Sequence, residues 1–113
     1  MRLRSDVWVQ AYLRRWFSRG GFAAVLRKGA AEAGAIYVVV NRLDGTMSVF
    51  GPAPGPAYDE EGDRRWARVG DDRIDAETLA QLTARLVRID PDIWIVEIED
   101  REGSGGLSPA RDS

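Results

Sequence analysis

The chain has 113 residues, of which 44% are apolar, and a formal net charge of −2, as expected for one ordinary globular domain. It contains no cysteine and no histidine. These absences exclude disulfides, thiolate catalysis, cysteine-based zinc sites and nucleophiles that are activated by histidine. We therefore predict no catalytic residue, no cofactor site and no metal site, and we lean towards a non-enzymatic role without excluding an enzyme.

The charge is distributed unevenly along the chain. Residues 1–42 hold eight cations against two acids, a net charge of +6, which leaves −8 for the remainder. Such a division is typical of an anionic partner for one half, of self-association between unlike halves, or of neutralisation within one fold. We favour neutralisation within one fold. The longest apolar run, at 35–40, is too short to span a bilayer, and no signal peptide is recognisable, so we expect a cytoplasmic protein without a membrane partner.

A first amphipathic helix of about fourteen residues is predicted to begin with Ser5 as its N-cap and to end at Gly20 and Gly21. The aromatic content of its apolar face is high for one helix. We expect these rings to cover a sheet, while the alternative is that Trp8 or Trp16 protrudes into a partner. The apolar face comprises Val9, Tyr12, Leu13, Trp16 and Phe17, with Trp8 at its margin.

Five strands are predicted at 22–28, 35–42, 46–50, 64–69 and 93–99. The second is apolar on both faces, which indicates a central strand. The fourth places Trp66 among arginines, which favours an edge strand. Residues 51–63 between the third and fourth strands are predicted to form a stiff surface loop with an acidic tip.

A second helix is predicted to begin after Asp75 as its N-cap and to stop before Pro91. Its expected buried stripe comprises Leu79, Leu82, Leu86 and Ile89. The order α-β-β-β-β-α-β predicts an α+β domain with a mainly antiparallel sheet of about five strands and two helices packed on it, which we place on one face. We assign residues 1–102 to this single domain and 103–113 to a disordered tail.

Six segments form a combination that is specific as a whole: Ser5-Asp6-Val7-Trp8-Val9, Gly20-Gly21-Phe22, Arg27-Lys28-Gly29, Ala33-Gly34-Ala35-Ile36, Pro52-Ala53-Pro54 and the run from Asp90 to Glu97. Taken together they resemble a small bacterial domain-of-unknown-function family that is found largely in alphaproteobacteria. The resemblance implies no activity, substrate or site residue.

Acidic residues suggest two enzyme classes, and we favour neither. The order Pro91-Asp92 followed by Glu97 and Glu99 resembles a metal-dependent nuclease motif, but Glu99 occupies the lysine position. Glu97 and Glu99 share one strand face that we expect to be solvated, because Trp94, Val96 and Ile98 form the buried face. A carboxylate-pair hydrolase would have to use two of Asp59, Glu60, Asp90 and Asp92, and nothing in the sequence holds two of them together.

The chain is therefore interpreted as a non-catalytic protein-interaction module whose partner is another protein or a second copy in a homodimer. Nucleic-acid binding through the arginines of the first half is the alternative, since Arg14, Arg15 and Arg19 lie in one predicted helix. The candidate interaction surface comprises Trp8, Arg14, Arg15, Trp16, Arg19 and Trp66.

Overall fold

A five-stranded sheet forms the centre of the protein in a computed structural model that describes residues 2–109. The order of elements is the predicted one. In chain order they are α1 (Ser5–Ser18), β1 (Ala23–Arg27), β2 (Ile36–Asn41), β3 (Met47–Pro52), β4 (Trp66–Arg68), α2 (Ala76–Ile89) and β5 (Trp94–Glu99).

The strands are arranged in the order β1-β5-β2-β3-β4. β2 and β5 pair in parallel from Ile36 beside Trp94 to Asn41 beside Glu99, and the other three neighbouring pairs are antiparallel. The prediction of a mainly antiparallel α+β sheet with a central β2 is thus confirmed. β5 is also an internal strand. This position explains why Ile93 and Ile95 are buried on one face while the apolar residues on the opposite face are buried too.

The two helices cover opposite faces of the sheet, so the expectation that both lie on one face was wrong. Val9 and Tyr12 of α1 share a buried cluster with Val38 and Val40 of β2. Leu82 of α2 shares a second cluster with Val39, the residue between those two valines. Because successive residues of a strand point to opposite faces, a strand that is apolar on both faces needs a helix on each side.

Ser5 was predicted to be the N-cap of α1, and this prediction was wrong: Ser5 is the first residue of the helix and does not cap it. Arg4 occupies the cap position without a side-chain hydrogen bond to the helix backbone, and Ser5 is fully buried. The Ser5 hydroxyl donates to the backbone oxygen of Gly34 at 2.6 Å. The backbone carbonyls of Ala31 and Glu32 accept the N–H groups of Asp6 and Ser5, so a tertiary contact replaces the predicted local cap.

The buried stripe of each helix ends before its last residue. Phe17 is 56% exposed and Ile89 is 76% exposed, although both lie at helical spacing from buried residues. At the start of α2, the Asp75 side chain accepts from the Thr78 N–H at 2.8 Å, which confirms the predicted N-cap.

The turn between α2 and β5 is packed closely against the connection from β1 to β2. The Asp90 carboxylate accepts from the Asp92 N–H at 3.0 Å, as expected for a turn that begins at a helix stop. A Cβ added to Gly34 would lie 2.5 Å from the backbone oxygen of Asp92. The approach of the two backbones therefore requires a residue without a side chain at position 34.

The packed part of the chain continues beyond residue 102, where the domain boundary was placed. Leu107 is 8% exposed and belongs to the cluster beneath α1. Pro109 forms a bridge with Trp66 at the edge of the sheet. Residues 110–113 of the predicted tail lie outside the described residues. Between residues 2 and 109, no helix is long and apolar enough to cross a bilayer.

Candidate functional site

A cleft of about 540 Å³ lies on the α1 side of the protein. Its walls are α1, the hairpin at 58–64 and the segment at 106–108. This volume falls within the range of about 300–1,000 Å³ that is typical of ligand sites. Three stretches of chain that are far apart in sequence therefore meet around one concave surface.

One wall of the cleft is a stripe of α1 that contains Trp8, Ala11, Tyr12 and Arg15. These residues follow the i, i+3, i+4, i+7 spacing of a single helix face. With a rise of 1.5 Å per residue, the wall from Trp8 to Arg15 is about 10 Å long. The α1 wall of the cleft therefore spans about two helical turns.

Three aromatic rings support this wall. Trp8 stacks on Tyr12 with a centroid distance of 4.7 Å and contacts Trp66 at 5.1 Å. Tyr12 and Trp66 are only 1% and 6% exposed, whereas Trp8 is half-buried. Trp8 is therefore the ring that offers most of its surface to a bound molecule.

Tyr12 also positions the wall at 106–108. Its hydroxyl donates to the backbone oxygen of Gly105 at 2.6 Å. Burial raises the pKa of Tyr12 to about 12, so the phenol remains a neutral donor at ordinary pH. This hydrogen bond fixes Gly105, and with it the adjoining segment at 106–108, against α1.

The hairpin wall is ordered by its own side chains. The Asp59 carboxylate accepts from the backbone N–H groups of Glu61 and Asp63, at 3.0 and 2.9 Å. Arg64 donates to the backbone oxygen of Leu3 at 3.0 Å, and its guanidinium lies 5.6 Å from the centre of the Tyr58 ring. The hairpin is thus held at the end of the cleft nearest the start of α1.

Charges of both signs line the cleft: Arg15 and Arg64 are cationic, and Asp59 and Asp63 are anionic. No ion pair joins any of these four side chains to another residue within 2–109. Arg64 and Asp59 are engaged in hydrogen bonds within the protein, so Arg15 and Asp63 are the charged groups of the cleft that are most available to a ligand.

The structure brings together three of the six residues of the candidate interaction surface. Trp8, Arg15 and Trp66 line the cleft. β4 is an edge strand, as predicted, but its Trp66 ring belongs to the core because it packs against Trp8. Arg14 lies outside the cleft and is exposed. Trp16 packs edge-on against Tyr12 at 6.4 Å, and Arg19 lies over the Trp16 ring at 5.8 Å, so this part of α1 forms a separate surface.

The acidic residues considered for catalysis do not assemble around the cleft. Asp59 lines it, but Asp90 and Asp92 belong to the turn before β5. Glu97 and Glu99 are half-buried on the sheet face that α2 covers. Within 2–109, no group of three or more acidic side chains is placed to hold a metal ion. Asp100 instead accepts from the backbone N–H groups of Glu102 and Gly105, at 3.1 and 3.0 Å, and so shapes the loop after β5.

The cations of the first half are dispersed. Arg4 pairs with Asp6, and Arg2 lies over the Tyr58 ring. Arg27 donates to the backbone oxygen of Pro91 at 2.7 Å and lines a groove beside α2. They therefore do not form one phosphate-binding face with Arg14, Arg15 and Arg19. Among the described ion pairs, the contact between Arg42 and Asp72 at 3.4 Å joins the cationic first half to the acidic remainder.

A second exposed apolar surface follows β1, which forms one edge of the sheet. Phe22, Val25 and Leu26 are 46%, 40% and 54% exposed. The pairing register with β5 shifts between Val25 and Arg27, which leaves Leu26 as a bulge. A bulge on an edge strand opposes the addition of a further strand, so the cleft is the better candidate for a binding site.

Comparison with known proteins identifies the family. A family model described as "Protein of unknown function (DUF1491)" matches residues 3–108. The chain belongs to the DUF1491 family. This result confirms the resemblance to a bacterial family without an assigned activity.

Solved DUF1491 structures from alphaproteobacteria share the fold. A solution structure of a protein from A. tumefaciens is 40% identical with a TM-score of 0.80, covering 100% of this chain and 98% of that one. A crystal structure of a DUF1491 protein from Caulobacter crescentus CB15 is 40% identical with a TM-score of 0.77, covering 99% and 100%. An NMR structure of a DUF1491 protein from the same organism is 42% identical with a TM-score of 0.74, covering 100% and 99%. No curated protein matches the chain.

Sequence reasoning missed most of the cleft. The spacing of Trp8, Ala11, Tyr12 and Arg15 on one helix face was visible in the sequence, but Ala11 was not singled out. The contributions of the hairpin and of 106–108 had no sequence signal, because they depend on how three distant segments pack. Residues 58–63 of the hairpin were predicted to form a surface loop, in which Asp59 and Glu60 were considered only for catalysis, and 106–108 were assigned to the tail.

Proposed function

We propose that this DUF1491 protein is a non-catalytic protein-interaction module of the cytoplasm that binds a partner polypeptide in the cleft along α1. The observation that supports this proposal is the exposed face of Trp8, which is supported by Tyr12 and Trp66 and lies on the same helix stripe as Arg15. Tryptophan, tyrosine and arginine are the side chains that most often dominate the binding energy of protein interfaces.

The shape of the cleft supports a polypeptide rather than a compact small molecule. The wall from Trp8 to Arg15 is about 10 Å long, and Leu3 and Arg64 extend the site beyond Trp8. An extended polypeptide advances about 3.3 Å per residue, so three or four residues would lie along this wall.

The chemistry of the lining also favours binding over catalysis. The chain has no histidine or cysteine to act as a base or nucleophile. Asp59 is held by two backbone N–H groups of its own hairpin, which assigns that carboxylate to the turn.

Site-specific photo-crosslinking tests the proposal in living host cells. A photoreactive amino acid would replace Ala11, which is exposed in the cleft wall, and a matched control would replace Gln81, which is exposed on α2. We expect a discrete protein adduct from position 11 and none from position 81. Light scattering and the mass of the adduct would show whether the partner is another protein or a second copy. An absence of protein adducts at position 11, or identical adducts from both positions, would refute the proposal.

A further inference from the structure

We propose that the partner segment in the cleft is an extended peptide with an acidic side chain at one end, a basic side chain at the other and an apolar or aromatic side chain between them. This inference rests on the proposed function and concerns the same cleft. It follows from the positions of two charged side chains without an ion-pair partner in the described chain: Arg15 in the last turn of α1 and Asp63 in the hairpin near the start of α1.

The acidic side chain of the peptide is expected beside Arg15. Arg15 lies in the last turn of α1, is exposed, and makes no ion pair with another residue of the described chain. Its guanidinium lies 5.9 Å from the centre of the Tyr12 ring, which holds it beside the cleft. A carboxylate placed there would gain a charge-assisted hydrogen bond.

The basic side chain is expected at the opposite end, beside Asp63. Asp63 precedes Arg64, which donates to the backbone oxygen of Leu3, and this contact places Asp63 near the start of α1. Arg64 is already engaged with Leu3, Ser5 and the Tyr58 ring, whereas no described residue pairs with the Asp63 carboxylate.

The apolar side chain is expected over Trp8, midway along the site. The Trp8 ring stacks on Tyr12 at an interplanar angle of 19° and is therefore held in a fixed orientation. A preorganised ring loses little conformational entropy when a second aromatic or apolar group packs on it. Nucleic acid fits this site poorly, because Asp59 and Asp63 would repel phosphates.

Three short peptides with blocked termini test the inference: Glu-Ala-Phe-Lys, its charge-exchanged counterpart Lys-Ala-Phe-Glu, and the neutral Gln-Ala-Phe-Gln. Binding would be measured by NMR titration of the full chain, in which the indole signals of Trp8 and Trp66 report on the cleft. Trp94 is buried and does not line the cleft, and its indole N–H donates to the backbone oxygen of Ala30, so its signal serves as the internal reference. We expect one charged peptide to bind about fivefold more tightly than the neutral one, because two exposed ion pairs act together.

A charge exchange separates recognition from general electrostatic attraction. Arg15→Glu should weaken the preferred peptide about fivefold or more, and a peptide with lysine in place of its glutamate should restore the affinity. The matched control is Arg14→Glu, which makes the same change at the neighbouring exposed position outside the cleft and should change affinity by less than about twofold.

The peptide and substitution results test the charge pattern, and the crosslink at position 11 tests the proposed function. Equal binding of the three peptides, no binding of any of them, or equal effects of Arg14→Glu and Arg15→Glu would overturn the charge pattern. If the crosslink at position 11 persisted, the proposed function would stand and only the peptide class would be wrong. Loss of that crosslink would remove both.

Discussion

Replacement of Ser5 by alanine tests whether α1 is anchored by a buried tertiary hydrogen bond. Ser5 is 0% exposed, its hydroxyl donates to the Gly34 oxygen at 2.6 Å, and Arg64 donates to the same hydroxyl at 3.4 Å. Alanine would remove the hydroxyl donor and leave the buried Gly34 carbonyl without this hydrogen bond. The cost of such an unsatisfied group is about 1–3 kcal/mol.

A destabilisation of about 2 kcal/mol corresponds to a loss of about 8 °C in melting temperature for a domain of this size. Urea unfolding followed by circular dichroism would measure the free energy of unfolding directly. Ser18→Ala is the matched control, because Ser18 lies in the same helix but is exposed and bonds only to the backbone oxygen of Arg15. We expect this control to cost less than about 0.5 kcal/mol.

A second substitution at position 5 distinguishes the buried contact from a helix cap. Asparagine is as good an N-cap as serine, so Ser5→Asn would preserve stability if position 5 acted as a cap. Because position 5 is fully buried in the structure, the larger asparagine side chain should lower the free energy of unfolding by about 1–3 kcal/mol through overpacking. Wild-type stability in Ser5→Asn, or equal effects of Ser5→Ala and Ser18→Ala, would refute the assignment of Ser5 as a buried anchor.

Three further outcomes follow from single contacts. Burial raises the pKa of Tyr12 from 10.0 to about 12. The neutral phenol should therefore contribute about 3 kcal/mol to the free energy of unfolding below pH ~10, and this contribution should be lost as the pH rises to ~12. Urea unfolding over that range should show a steeper loss of stability for wild type than for Tyr12→Phe. Gly34→Ala places a Cβ 2.5 Å from the backbone oxygen of Asp92 and should destabilise the protein by about 1–3 kcal/mol in the same unfolding assay. Unchanged stability would contradict the close approach of the two backbones at Gly34 and Asp92. The hydrogen bond from the Thr78 N–H lowers the pKa of Asp75 below 3.8, so Asp75→Ala should destabilise the protein at neutral pH, and the difference from wild type should shrink as pH falls through the lowered pKa.

The succession of elements was predictable because local patterns are sufficient for it. The apolar run of β2 and the N-cap at Asp75 each depend on residues that are near one another in sequence. The predictions that failed were those in which a distant part of the chain competes for a local group. The Ser5 hydroxyl bonds to Gly34 rather than to its own helix. The edge position predicted for β4 was correct, but the Trp66 ring on that strand is buried against Trp8.

The cleft likewise combines a feature that is visible in the local sequence with features that depend on distant segments. α1 supplies a stripe of residues that can be recognised by its helical spacing. Whether that stripe faces a core, solvent or a concave site depends on the hairpin at 58–64 and the segment at 106–108, which are contributed by distant parts of the chain. The bond from Tyr12 to Gly105 spans 93 positions in the sequence, and no local pattern anticipates it.

The sequence by itself determined the α+β class, the order of the elements, the central position of β2 and the absence of histidine and cysteine chemistry. Each of these follows from composition or from periodicity over a few residues. Only the tertiary structure decided that the helices lie on opposite faces, that Leu107 packs in the cluster beneath α1, and that α1 forms the wall of a cleft. The physical reason is that these features depend on side-chain packing between segments far apart in the chain, which hydrophobic periodicity does not encode.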